Sequence, residues 1–151
     1  MLNMRKYIFK RRKCKMIKIL MGEKGTGKTK KLIDMANRSV SQSSGDVVFI
    51  DKGTRYMYDL SHEIRFIDVS QFEIEDLYVF YGFICGIIAG NFDISQIYID
   101  RIFNIVDDSM DSLKKFLIDI EKISQDFNIE FVMTISGDAA LAPEYVKQYI
   151  A

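Results

Sequence analysis

The sequence predicts an α/β fold in three layers: a mainly parallel five-stranded sheet with helices on both faces. Three observations carry that prediction. Short apolar runs alternate with stretches of helical periodicity along the whole chain, which is the pattern of strand–helix–strand units. Runs such as Val47-Val48-Phe49-Ile50 and Gln96-Ile97-Tyr98-Ile99 are almost continuously apolar, as strands covered on both faces require. The first run passes through a glycine-rich turn directly into a helical pattern. Right-handed crossovers connect such strands. A chain of 151 residues makes one domain with a sizeable core.

The elements follow in order. Ile17–Met21 is the first strand, and the helix after the glycine-rich turn runs to about Ser39, with Leu32, Ile33, Met35 and Ala36 as its apolar positions. Val40 to Gly45, rich in Ser, turns the chain into the strand Val47–Ile50. Asp51-Lys52-Gly53-Thr54-Arg55 then lies at the C-terminal edge of the sheet, where ligands bind in open α/β folds. Tyr56 to Glu63 is a polar connection to the strand Ile64–Val69, and Ser70 to Asp76 prepares a helix. Leu77 to Phe92 carries no charge; it is short for a membrane span and reads as a buried helix. Gly82, Gly86 and Gly90 share one face of it, for close packing on the sheet or, in the sharper alternative, for a close contact between subunits. The strand Gln96–Ile99 ends in Asp100. Met110–Phe127 is the best amphipathic helix, with Leu113, Phe116, Leu117, Ile120 and Ile123 on one face. Glu130–Ile135 is the last strand, followed by Ser136-Gly137-Asp138, and Pro143–Ile150 fits a closing helix with Pro143 in its first turn.

A formal net charge of zero hides an asymmetry. Seven of the 21 basic residues fall in residues 1–15, which hold no acid, so the body from Met16 carries 14 basic against 21 acidic residues. Residues 1–15 read as a basic arm, disordered or an extension upstream of a start at Met16, and residues 16–151 as the folded domain. The acidic body argues against nonspecific nucleic-acid binding. The apolar part of the arm is too short for a secretory signal. Cys14 and Cys85 are far apart, and with the lone His62 they form no zinc spacing, so a reducing, cytoplasmic setting is expected.

The chemistry concentrates in Gly22-Glu23-Lys24-Gly25-Thr26-Gly27-Lys28-Thr29, which matches G-x-x-x-x-G-K-[ST], the phosphate-binding loop, between a strand and a helix. At average composition the pattern arises by chance in about one chain of this length in two hundred. Its glycines let successive backbone N–H groups converge on one point, and the following helix adds the positive end of its dipole. Lys28 supplies a cation for the β- and γ-phosphates, and Thr29 a hydroxyl for Mg²⁺.

On these residues the chain resembles the P-loop NTPase superfamily. The order of its parts from Met16 to about Asp138 is similar to the RecA-like group. It also resembles small bacterial ATP-binding proteins of the twitching-motility ATPase-like kind, although it lacks room for the extra domain of the pilus-retraction motors. The resemblance implies ATP and Mg²⁺ as ligands, held by the segment from Gly22 to Thr29 together with Lys30. It implies a sheet with the last strand between the loop strand and the Asp strand. It makes Asp100 a Mg²⁺ ligand through water, with its carboxylate roughly 4–7 Å from the Thr29 hydroxyl.

The departures concern hydrolysis. Where many members carry a water-orienting Glu after the Asp, this chain has Arg101, and the alternative Glu position after the second strand is Gly53. Asp51 is the substitute base, and Arg101 or Arg55 a charge-stabilising finger across an interface. The expected function is a weak or partner-dependent Mg-ATPase, with a homo-oligomer or another protein as the partner. The alternative is a nucleotide-binding regulatory or scaffold protein without turnover. A second alternative is a thymidine-kinase-like nucleoside kinase, which Asp51 to Tyr56 resembles in its connection, although the four-cysteine zinc lasso of that family is missing.

Overall fold

Strands and helices alternate along the chain in the computed structural model, which describes residues 16–151; the expected basic arm, residues 1–15, lies outside the described residues. In chain order the elements are β1 (Ile17–Gly22), α1 (Lys28–Gln42), β2 (Asp46–Asp51), β3 (Arg65–Asp68), α2 (Leu77–Gly90), β4 (Ile94–Ile99), the single turn α3 (Ile102–Ile105), α4 (Met110–Phe127), β5 (Glu130–Ser136) and α5 (Glu144–Lys147). The five strands form one sheet in the order β1-β5-β4-β2-β3, and every pair is parallel. The last strand therefore lies between the loop strand and the strand that ends before Asp100, with Ile19 opposite Met133 and Ile99 also opposite Met133.

Strand periodicity divides the core into two. Ile17, Ile19, Val48, Ile50, Ile97, Ile99, Phe131 and Met133 point to one face, beneath α2 and α4. Leu20, Val47, Phe49, Tyr98 and Val132 point to the other, beneath Leu32, Ile33 and Ala36 of α1. Across β3, β2 and β4 the second face carries a row of rings, with Phe49 stacked on Phe66 at 6.3 Å and on Tyr98 at 6.4 Å. This packing fixes the axis of α1 on the sheet, and with it the direction in which the glycine-rich loop opens.

Two expectations are corrected. The closing helix is limited to Glu144–Lys147, because the chain then turns back to cover β1. The Ile19 N–H donates to the Tyr149 carbonyl at 2.8 Å and the Ala151 N–H to the Ile19 carbonyl at 3.1 Å, with Ile150 bridging Ile19 in parallel. An edge strand leaves a row of backbone groups unpaired, and satisfying part of that row outweighs one more turn of helix.

The second correction concerns the glycines of α2. That helix buries Leu77, Phe80, Ile84 and Ile88, and Phe80 stacks on Phe116 of α4 at 5.9 Å. Gly82, Gly86 and Gly90 are exposed, and a Cβ at any of them would meet nothing within 4 Å. They do not pack on the sheet: the bulky apolar residues hide more surface from water and so determine which face turns inward. Gly86→Ala is thus expected to raise stability by about 0.5–1 kcal/mol, the backbone-entropy cost of a glycine within a helix, read as a higher midpoint in urea unfolding. A lower midpoint would mean that this face is covered in solution.

Candidate phosphate-binding site

The glycine-rich loop opens where β1 ends. Gly25 and Gly27 have φ of 84° and 81°, a left-handed conformation that side chains rarely adopt, and they turn the chain back over itself into α1. The Glu23 carbonyl accepts from the Thr26 hydroxyl at 2.7 Å and from Lys28 Nζ at 2.8 Å, so the ammonium is folded into the curl of the loop. Gly22 lies so near that a Cβ there would stand 3.0 Å from Thr26 Oγ1. Its carbonyl accepts from the Gly137 N–H at 2.9 Å, tying the loop to the end of β5.

The other half of the site comes from β4. Asp100 is fully buried. Its Oδ2 accepts from the Thr29 hydroxyl at 2.9 Å and its Oδ1 from the Thr134 hydroxyl at 2.6 Å. Thr29 and Asp100 thus share one edge of the sheet, and their direct hydrogen bond is shorter than the spacing of about 4–7 Å expected from a bridging cation and water. Thr134 was not a candidate on sequence. A single hydroxyl within the buried run Phe131–Ile135 is the signal, because a buried polar group needs a partner.

Arg101 follows with φ 51° and ψ 63°, left-handed for a residue with a side chain, a strain on the order of 1 kcal/mol. The surroundings hold it there: its N–H donates to Thr134 Oγ1 at 2.7 Å, and its Nη2 donates to both oxygens of Asp51 at 2.9 and 3.2 Å. Nε lies 3.3 Å from Asp100 Oδ2 without hydrogen-bond geometry. Asp51 is fully buried, and Oδ1 also accepts from the Lys52 N–H at 2.7 Å. Burial pushes the Asp51 carboxyl above its ordinary value, against the opposing pull of Arg101. Burial alone would lower the Arg101 guanidinium, but the hydrogen bond it donates to Asp51 and the charges of Asp51 and Asp100 outweigh it and hold it above its ordinary value.

These groups surround an open cavity of about 690 Å³. Of the candidate residues, Lys24, Gly25, Gly27, Lys28, Thr29, Lys30 and Arg101 line it; Gly22, Glu23 and Thr26 shape the loop behind them, and Asp51 and Asp100 are buried beneath Arg101 and Thr29. The far wall holds Arg55 and Tyr56, with the Arg55 guanidinium 5.2 Å and that of Arg101 5.9 Å from the Tyr56 ring centre. Asn37 pins this wall to α1, donating to the Asp59 carbonyl at 2.9 Å and accepting from the Ser61 N–H at 2.8 Å.

The lining carries Lys24, Lys28, Lys30, Arg55 and Arg101 against Asp34 and Asp59. An acidic body that gathers cations around one cavity attracts an anion there. Among the described residues no three His, Cys, Asp or Glu side chains gather to hold a metal by themselves. One hydroxyl and one carboxylate suit a cation that takes most of its ligands from phosphate and water, as Mg²⁺ does. No helix among the described residues is long and apolar enough to cross a membrane. Compared with known proteins, the chain matches no family model and no curated protein sequence.

Proposed function

We propose that this chain is a P-loop NTPase of RecA-like type that binds ATP with Mg²⁺ in the cavity above the glycine-rich loop and turns it over slowly or only with a protein partner. The observation that carries the reading is the hydrogen bond from Thr29 to the buried Asp100, directly beside Lys28 and the left-handed glycines. It brings a hydroxyl, a carboxylate and a cation to one end of a loop whose sequence fits phosphate. In this reading the loop N–H groups and Lys28 hold the polyphosphate, Thr29 and Asp100 would hold the Mg²⁺, and Arg101 faces the distal end. When bound, the cation neutralises charge on the β- and γ-phosphates. The strand order, with β5 between β1 and β4, supports the RecA-like assignment.

Slow turnover follows from the carboxylates. A water that attacks phosphorus must be oriented by a group facing the cavity. Asp51 lies beneath Arg101 with both oxygens engaged, and Asp100 is held by two hydroxyls. The same observation favours a second reading, nucleotide binding without turnover in a regulatory or scaffold role. Thermal unfolding with ATP, GTP, ADP and deoxynucleosides, with and without Mg²⁺, tests the binding. Mg-ATP at a hundred times its Kd should add about 2.7 kcal/mol, a shift of roughly 5–10 °C at this size. No shift with any nucleotide would overturn the proposal. Single-turnover assays then separate the readings: phosphate release on the order of 10⁻³ s⁻¹ or below, rising with protein concentration or partner, is expected for the ATPase, and none for the scaffold.

A further inference from the structure

Resting on the nucleotide reading above, we infer that Asp51 is a positioning residue that aims Arg101 at the terminal phosphate, and that this pair makes the site select a triphosphate over a diphosphate. Sequence alone makes Asp51 a substitute base, but its surroundings suit a different task. Its side chain is fully buried and is not part of the cavity wall. Oδ1 accepts from the Lys52 N–H and from Arg101 Nη2, and Oδ2 accepts from the same Nη2. Asp51 therefore meets the cavity only through Arg101.

Arg101 has the opposite character. Its side chain is 29% exposed, and it lines the cavity with Lys28 and Thr29. A guanidinium offers five N–H donors in a rigid fork. The bonds to Asp51 come from Nη2, and Nε is buried 3.3 Å from Asp100 Oδ2, so the donors left for an anion are those of Nη1. Three contacts fix the direction of the fork. Asp51 holds one end, the Tyr56 ring lies 5.9 Å from the guanidinium carbon, and the left-handed backbone at Arg101 is secured by Thr134.

The chemical consequence is a division of labour. The loop N–H groups and Lys28 serve the phosphates common to a diphosphate and a triphosphate. A third phosphate brings further charge and oxygens to the distal end, where a pre-aimed guanidinium makes charge-assisted hydrogen bonds without first being ordered. Removing Arg101 then weakens the longer ligand selectively. Removing Asp51 does the same indirectly, because the guanidinium loses its holder while its charge remains.

Calorimetric titration of ATP and ADP, each with Mg²⁺, into wild type, Arg101→Ala, Asp51→Asn and the double variant Asp51→Asn/Arg101→Met tests the inference. Wild type is expected to favour ATP at least tenfold. Arg101→Ala should lower that ratio about tenfold with ADP affinity retained, Asp51→Asn should lower it about three- to tenfold, and the double variant should be no worse than Arg101→Ala. The double variant removes both charges together, so it gives a result even if a single variant fails to fold. An unchanged ATP-to-ADP ratio in Arg101→Ala or in the double variant would overturn the assignment of Arg101. A wild-type ratio in Asp51→Asn, or equal loss of both ligands, would overturn the positioning role of Asp51. Failure of wild type to bind either nucleotide would overturn the underlying reading as well, whereas binding that Lys28→Ala abolishes beside an unchanged ratio in Arg101→Ala would overturn this inference alone.

Discussion

Lys28→Ala is expected to weaken Mg-ATP binding by about 100-fold or more while leaving the fold intact. Lys28 begins α1 and bonds through Nζ to the Glu23 carbonyl, inside the loop and on the cavity wall. A bound polyphosphate would take the ammonium from a neutral carbonyl to an anionic oxygen, a favourable exchange, since it adds the attraction of opposite charges to a bond whose donor alone was charged. A loss of about 3 kcal/mol corresponds to roughly 100-fold in affinity. The fold does not rely on Lys28: the helix begins equally well with Ala, and the Glu23 carbonyl keeps its bond from Thr26. Titration with a fluorescent ATP analogue, with the thermal midpoint within about 2 °C of wild type as the control, reads both parts. Unchanged affinity would reduce the loop to a structural turn.

The second large effect is expected from Asp100→Asn. Asp100 accepts from Thr29 at 2.9 Å and from Thr134 at 2.6 Å, with Arg101 Nε 3.3 Å from Oδ2. An amide keeps one acceptor and replaces the other with a donor, so one side meets either a hydroxyl turned the wrong way or a guanidinium. The site is fully buried, and the mismatch should cost about 1–3 kcal/mol of stability. The functional consequence differs in kind. Losing the negative charge beside Thr29 should remove most of the gain that Mg²⁺ brings to ATP affinity, at least tenfold, with the metal-free affinity little changed. Comparing ATP titrations in Mg²⁺ and in EDTA isolates that component, and an undiminished Mg²⁺ effect in Asp100→Asn would rule out a metal role for this carboxylate.

Sequence by itself determined the α/β alternation, the approximate place of every strand and long helix, and the glycine-rich loop with its lysine and threonine. Each is a local matter: a strand covered on both faces is written as a short continuous apolar run, a helix in a period of 3.6 residues, and the loop in the backbone freedom of Gly25 and Gly27. Tertiary structure decided the rest. Thr134 and Asp100 lie 34 residues apart, and their contact depends on β5 entering the sheet beside β4. Asp51 and Arg101 are 50 residues apart, and their pairing turns a carboxylate that sequence makes available to water into one committed to a guanidinium. The glycines of α2 formed a face on sequence, but which face turned inward depended on what the sheet and α4 offered to Phe80, Ile84 and Ile88. The last residues read as helix until an open strand edge was there to be paired. In each case the deciding free energy is a long-range contact, whether burial, a buried charge or an unpaired backbone group, and no window of neighbouring residues contains both of its partners.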